Sequence, residues 1–351
     1  MSVVITTGLE PLALLNDLVR IPSVTGDVDA AAARLLEVVA DAGFDAHRDI
    51  AGNVVMTWGE GAADDEILLL GHLDTVPGEI AVRHDDGRLH GRGTVDAKGP
   101  LAAALTAVSR LPRNPGRRVT VIAACDEEGA SLGARHLCSR IGPTHLVVLE
   151  PSGWDTVTTA YRGCVRVTVT VRRSTTHHAG PFAGAADVLV ALLGDAQRAL
   201  HRDAERAVDR VQMRVNALNT HEDGSSERAD AAIEVRIPGG VAVDAILAQL
   251  SGLLGDAHLK VVSACEPVAV SRGNPVARAL ARAITVAGGR PRYTTKTGTS
   301  DLNVVLPAWG CAAAVYGPGD CSLDHTPRES IDVGELRRGA DVLEAAVRSL
   351  R

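Results

Sequence analysis

The sequence predicts an α/β fold: a larger domain with a central, largely parallel β-sheet flanked by helices, interrupted by a smaller inserted β-α-β-β-α-β domain. Three observations carry this. Strands and helices alternate along the first half, several strands are continuous apolar runs such as Ile67-Leu68-Leu69-Leu70, and strict two-residue alternation sets in after Tyr161-Arg162-Gly163. At 351 residues, and roughly 150 residues per domain, the chain has room for two such bodies.

Residues 9–20 place Leu12, Leu15 and Val19 on one helical face and stop before Pro22, and 28–42 read as a second helix ended by Gly43. Strands follow at 53–58 and 67–70, a helix at about 100–110, and strands at 119–123 and 145–149. Then Val165, Val167, Val169 and Val171 alternate with Arg166, Thr168, Thr170 and Arg172, as in a strand with one wet face. A helix near 185–200, strands near 211–218 and 230–237, a helix near 242–254 and a strand near 258–265 complete the split-βαβ order. After Ser271-Arg272-Gly273-Asn274-Pro275 the α/β style resumes with a helix, a strand at 312–316 and a last helix. Asp332 and Glu335 open that helix as a capping box, and Leu336, Leu343, Val347 and Leu350 line its buried side. The expected division is 1–161 with 274–351 as the larger domain and 162–273 as the insertion.

Composition excludes several classes of function. With 46% hydrophobic and 23% charged residues the chain is an ordinary globular one rather than a disordered one. A net charge of −7, from 36 basic and 43 acidic side chains, with only 2% aromatics, argues against nucleic acid as a partner. No apolar run approaches the roughly 20 residues that span a bilayer, and the opening MSVVITTGLEPLALL lacks the basic start of a secretory signal, so the expected location is the cytoplasm. The six cysteines form no C-x-x-C pair and read as reduced, mostly buried small hydrophobes.

The residues that carry chemistry fall at equivalent structural places. His72 and Asp74 follow the strand at 67–70, Glu127 and Glu128 follow that at 119–123, and Glu150 follows that at 145–149. In open α/β sheets ligands bind beyond the carboxyl ends of the strands, so these groups should share one rim. Asp96 lies in the glycine-rich HGRGTVDAKGP run where a helix begins, a place that favours an anion. That run is not a dinucleotide fingerprint, because Asp96 replaces the third glycine and no clear strand precedes it. Carboxylates crowded on one rim repel one another unless a cation joins them. One histidine among several carboxylates suits zinc, with cobalt or manganese as alternatives. Asp74, two residues beyond His72, is expected to accept the other imidazole N–H.

These motifs, His72-Leu73-Asp74-Thr75-Val76-Pro77-Gly78, HGRGTVDAKGP at 90–100 and Asp126-Glu127-Glu128-Gly129, resemble the metallopeptidase M20 family over essentially the whole chain. The resemblance implies two zinc ions, one on His72, Asp96 and Glu150 and one on Asp96, Glu128 and His325, with Asp96 bridging. It also implies Glu127 as general base and a cis peptide after Asp96. A lone loop histidine is ordinarily solvated, but the Asp324-His325-Thr326-Pro327 context and the missing ligand favour a ligand role. Three further segments, Glu150-Pro151-Ser152-Gly153-Trp154-Asp155, Lys296-Thr297-Gly298-Thr299-Ser300-Asp301 and YGPGDCSLDHTP, resemble the [LysW]-lysine and [LysW]-ornithine hydrolases. Those act on an amino acid whose α-amino group is amide-linked to the C-terminal glutamate of a small acidic amino-group carrier protein.

By the same resemblance, Arg236 and Lys296 grip a substrate carboxylate, with Gly298 and Thr299 as further donors and Arg162 nearby. For Arg236 a solvated strand-end arginine is the competing reading. His178, with His177 as the alternate, matches the histidine that stabilises a tetrahedral oxyanion across a homodimer interface. Arg166 and Arg172, with Arg162 and Arg173 at the strand ends, form either a stripe that steers an acidic carrier or an ordinary wet strand face. Two other functions compete: a deacylase of small N-acyl amino acids with the same mechanism, and a metal or amino-acid binder without catalysis. An unligated Glu127 beside a full ligand set argues against the latter.

Overall fold

The computed structural model describes residues 8–61, 65–113, 117–140, 142–177, 179–201 and 204–350. The chain divides into two compact units. The first comprises residues up to 159 together with 270–294 and the chain from 300 onward, and the second comprises 160–269 and 295–299.

The elements run α1 (Pro11–Val19), α2 (Asp29–Asp41), β1 (Asp45–Arg48), β2 (Val54–Trp58), β3 (Glu66–His72), β4 (Arg83–Asp85), β5 (Arg88–His90), α3 (Lys98–Ser109), β6 (Arg118–Ala124), α4 (Leu132–Leu137), β7 (His145–Val148) and β8 (Thr156–Tyr161). Next come β9 (Gly163–Ser174), α5 (Ala185–Leu200), β10 (Gln212–Glu222), β11 (Ser226–Ile237), α6 (Val243–Leu254), β12 (His258–Cys265) and β13 (Val268–Ala269). The chain ends with α7 (Pro275–Val286), β14 (Arg292–Lys296), α8 (Leu302–Trp309), β15 (Ala312–Val315), β16 (Ser330–Asp332) and α9 (Val333–Ser349).

In the first unit the main sheet runs β1-β2-β6-β3-β7-β15-β8. Its centre is parallel: β3 pairs with β6 and β7, and β15 pairs with β7. Parallel strands covered on both faces read as near-continuous apolar runs, and β3 is buried throughout, with Ile67-Leu68-Leu69-Leu70 as its apolar run. Helices α1, α3, α7 and α9 join the same core, in which α3 is buried on almost every side. Because β3, β6 and β7 point the same way, the residues after them emerge at one edge.

The second unit is an antiparallel sheet in the order β10-β11-β9-β12. Val165, Val167, Val169, Ile233 and Val235 form its apolar face, packed with Leu189 and Leu193 of α5 and Ile246 and Leu250 of α6. The opposite face carries the intervening polar residues, in the order the alternation predicts. Segment 295–299 belongs to this unit although it lies far along the chain.

Helices α4 and α8 and strands β1, β4, β5, β8, β13, β14 and β16 have no counterpart in the sequence reading. Helix α8 has eight residues with Pro307 inside it, too few for a period to emerge. Asp332 caps α9, its Oδ1 accepting the Glu335 N–H at 2.7 Å, but the reciprocal half of the expected box is absent. The Glu335 carboxylate instead accepts the N–H groups of Trp154 and Gly319, at 3.0 and 3.1 Å, and so ties together two loops that follow sheet strands. Among the described residues no helix is long and apolar enough to cross a membrane.

Candidate metal centre

All five candidate ligands meet at the carboxyl edge of the first unit's sheet. His72 ends β3, Glu128 and Glu150 follow β6 and β7, Asp96 lies just before α3, and His325 lies in the loop between β15 and β16. His72 Nε2 is 3.0 Å from Asp96 Oδ1 and 3.9 Å from Glu150 Oε1. His325 Nε2 is 3.0 Å from Asp96 Oδ2 and 2.8 Å from Glu128 Oε1. Asp96 thus presents one oxygen to each imidazole. Ligand atoms of His72, Asp96 and Glu128 all lie within 4.8 Å of one another, a spacing suited to donors gathered around metal at about 2.0–2.2 Å from each.

The loop that delivers the two glutamates is built by its own sequence. Asp126 takes a left-handed backbone, φ 63°, and its carboxylate accepts the N–H groups of Ala130 and Leu132. A side chain at Gly129 would put a carbon 2.5 Å from Asp126 Oδ1, so the turn requires glycine there. Asp74 then holds the turn in place: its carboxylate accepts the N–H groups of Glu127 and Glu128, at 3.1 and 3.2 Å, and the Thr25 hydroxyl at 2.8 Å.

This modifies the expectation for Asp74. His72 Nδ1 lies 2.9 Å from the Asp74 carbonyl oxygen and 3.6 Å from its carboxylate. The backbone carbonyl is the nearer acceptor because the carboxylate is already turned toward the glutamate loop. The Asp96-Ala97 peptide is cis, as the resemblance implied.

Charge in the cluster is unbalanced. Burial disfavours the charged His72 imidazole, yet Asp74, Asp96 and Glu127 overcome it and hold its pKa well above the ordinary value. Contacts with Asp96 and Glu128 hold His325 up at about 10. Burial works against the Asp96 carboxylate, and the two imidazoles more than offset it, keeping its pKa below the usual range. Glu127 is the opposite case, since burial and then the charge of Glu150 push its carboxyl well above that range. Two imidazoles therefore do not neutralise the acids gathered here. The donor set fits divalent cations, which supply the missing positive charge and match imidazole and carboxylate ligands.

The structure adds residues that the sequence reading did not single out. Asp301 is buried at the start of α8, with its carboxyl pushed up to about 7 by burial. Glu329 is buried and accepts the Asp96 N–H. Neither lies at the end of a strand, so strand-end logic could not find them.

The substrate-side candidates belong to the second unit and to segment 295–299. Arg236, on β11, donates to Glu234 at 2.7 Å and to the Thr299 hydroxyl at 3.2 Å. Arg162 is buried, donates to the Thr297 carbonyl at 2.6 Å and reaches the carbonyls of Ala207 and Arg210. Lys296 lies over the Tyr161 ring, 5.9 Å from its centre, and Gly298 has open space where a side chain would be. Arg166 is paired with Glu234 at 2.9 Å, which leaves Arg172 and Arg173 as the exposed arginines of β9. His178 lies outside the described residues, while His177 is exposed and accepts the Ala179 N–H.

The chain is similar to known proteins over most of its length. Over 354 aligned residues the chain is 40% identical to the [LysW]-lysine hydrolase of Deinococcus radiodurans, with 96% of each chain covered. Among solved structures it is similar to a tripeptidase from Staphylococcus aureus, with a TM-score of 0.81, 17% identity, and 96% of this chain and 97% of that one covered. It is also similar to an M20 family metallo-carboxypeptidase from Sulfolobus solfataricus, with a TM-score of 0.79, 16% identity, and 97% and 99% coverage. At these identities the two structures speak for the fold alone. A sequence profile of peptidase family M20/M25/M40 matches residues 68–349, a span that runs through both units and includes every candidate ligand, and the chain belongs to that family.

Proposed function

We propose that this protein is a di-zinc amidohydrolase that releases lysine, or ornithine, from its amide with the C-terminal glutamate of a small acidic amino-group carrier protein. The observation that carries the chemistry is Asp96, whose two oxygens each lie 3.0 Å from a different imidazole. The substrate reading is supported by the 40% identity to a [LysW]-lysine hydrolase across 96% of both chains.

In this reading His72, Asp96 and Glu150 hold one zinc, and Asp96, Glu128 and His325 hold the other, with cobalt or manganese able to replace either. Such a pair of ions, when bound, polarises an amide carbonyl and makes water acidic enough to attack at neutral pH. Glu127 takes the proton from the attacking water on its carboxylate and returns it to the amine nitrogen as the C–N bond breaks. Asp74 fixes Glu127 and Glu128 through their backbone N–H groups.

Arg236, Lys296, Gly298 and Thr299 bind the carboxylate of the departing amino acid. Arg162 acts on this segment indirectly, by holding the Thr297 carbonyl. The exposed Arg172 and Arg173 suit an acidic carrier. The protein works as a cytoplasmic homodimer in this proposal.

The test is hydrolysis by the zinc-loaded protein of two matched substrates: lysine or ornithine on an acidic carrier's C-terminal glutamate, and the corresponding N-acetyl amino acid. Release of free amino acid from the carrier alone is the expected result. Release mainly from the N-acetyl compound makes the protein a general deacylase, and release from neither overturns the proposal.

A further inference from the structure

We infer that Glu329, paired with Arg92, is a positioning residue for the metal centre, setting the carboxylate of Asp96 and the loop of His325 relative to each other. The inference rests on the reading of Asp96 and His325 as metal ligands.

Glu329 is 1% exposed, and both its oxygens are engaged. Oε1 accepts the N–H of Val95 at 2.9 Å and that of Asp96 at 3.2 Å, while Oε2 accepts from Arg92 Nη1 at 2.7 Å. The two N–H groups lie in a buried turn before α3, where each must find an acceptor. One oxygen of a residue 234 positions away from Val95 meets both.

His325 is the candidate ligand least held by its own surroundings. Its side chain is 50% exposed, against 1% for that of His72, and its backbone is left-handed at φ 58°. Its flanks hold it instead. Arg92 Nη1 lies 3.3 Å from the carbonyl of Thr326, the next residue, and its Nε donates to the Gly78 carbonyl at 3.0 Å. Just beyond Glu329, Ser330 pairs with His90 of β5 and accepts from Arg88. A closed ring results: from Asp96 Oδ2 across 3.0 Å to His325 Nε2, along four residues to Glu329, and back through Oε1 to the Asp96 N–H.

His72 and Glu150 lie outside this ring, fixed at the ends of β3 and β7. Disturbing Glu329 should therefore weaken chiefly the ion shared by Asp96, Glu128 and His325. The residue must be a carboxylate, because the amide of glutamine cannot accept from two N–H groups and from Arg92 without turning its own N–H donors on one of them. Residues that orient metal ligands in this way typically change affinity 10–100-fold when replaced.

The test is titration of metal-free parent, Glu329→Gln and Arg92→Lys proteins with Co2+, followed by calorimetry and by the visible absorption of bound cobalt. The parent is expected to bind two ions. In Glu329→Gln one ion should weaken about 10–100-fold, with an altered cobalt spectrum, while the other stays within about threefold. Arg92→Lys, which keeps the charge and loses the two-pronged contact, should show a smaller loss at the same ion, and it carries the test if Glu329→Gln does not fold. Unchanged affinity for both ions, or equal losses at both, overturns the inference even if the unfolding temperature falls. A parent that takes up no divalent ion defeats the metal-site reading itself.

Discussion

The two units use their sheets in opposite ways. In the first, central parallel strands such as β3 are buried on both faces and offer no free surface, so the candidate ligands gather at and beyond the strand ends, where five of them meet from distant parts of the sequence. In the second, an antiparallel sheet covered by helices on one face presents polar side chains along the other, with Arg236, Glu234 and Arg166 side by side. The difference teaches where each function can sit. Strand ends gather charge from many directions, as metal chemistry requires, and a strand face offers an extended row suited to recognition.

Five experiments sharpen or break that division. The largest effect is expected from Glu127→Gln: a loss of about 10²–10⁴-fold in kcat with metal content unchanged, read by amino-acid release and metal analysis. Normal turnover would remove the first unit's claim to the chemistry. Next, Asp74→Asn should cost about 10–100-fold in metal affinity, because a neutral side chain accepts the Glu127 and Glu128 N–H groups less well. In hydrogen exchange, metal addition should then protect the loops around 72–75, 95–97, 126–131 and 317–329 and leave 163–174 and 226–237 as they were.

Arg236→Met tests the other side of the comparison. A rise in KM of about tenfold, larger than any fall in kcat, is expected from loss of one charged contact to a carboxylate. A fall in kcat alone would place this arginine with the reacting atoms instead. The smallest effect concerns folding and contrasts buried Lys98 with exposed Lys260. Burial holds the Lys98 amine down at about 8, and Nζ donates to the carbonyls of Leu18 and Ile21 at the end of α1. Between that value and the ordinary lysine range the unfolded chain keeps a proton the folded one has lost, so this residue's contribution to stability rises with pH. The stability deficit of Lys98→Met should therefore widen from pH 7 to pH 10, by at most about 1.4 kcal/mol per pH unit, while Lys260→Met shows no such trend.

Much of this was legible in the sequence. The continuous apolar run of β3 and the valine alternation of β9 are unambiguous signals, and each marks the sheet type of its unit. The strand-end acids were legible as well, because strand direction alone sends His72, Glu127, Glu128 and Glu150 to one edge. What stayed hidden depends on long-range pairing. Glu329 and Asp301 look like ordinary loop acids until the fold buries them, and the second task of Glu335 exists only because two distant loops pass the start of α9. Arg162 read as a substrate contact, and nothing in its sequence context announces that the Thr297 carbonyl lies against it.

The anchoring role of Glu335 also bears on how the protein is made. His325, Glu329 and Glu335 are synthesised after all the strands of the second unit's sheet and just after β15, which pairs with both β7 and β8. A chain folding as it emerges can complete the second unit's sheet, whose four strands all lie within 163–265, well before the first unit's sheet has its β15 strand. The cluster of candidate ligands closes only once the chain has emerged as far as His325. A product truncated before α9 would lack the Glu335 tie between the loops that carry Glu150 and His325.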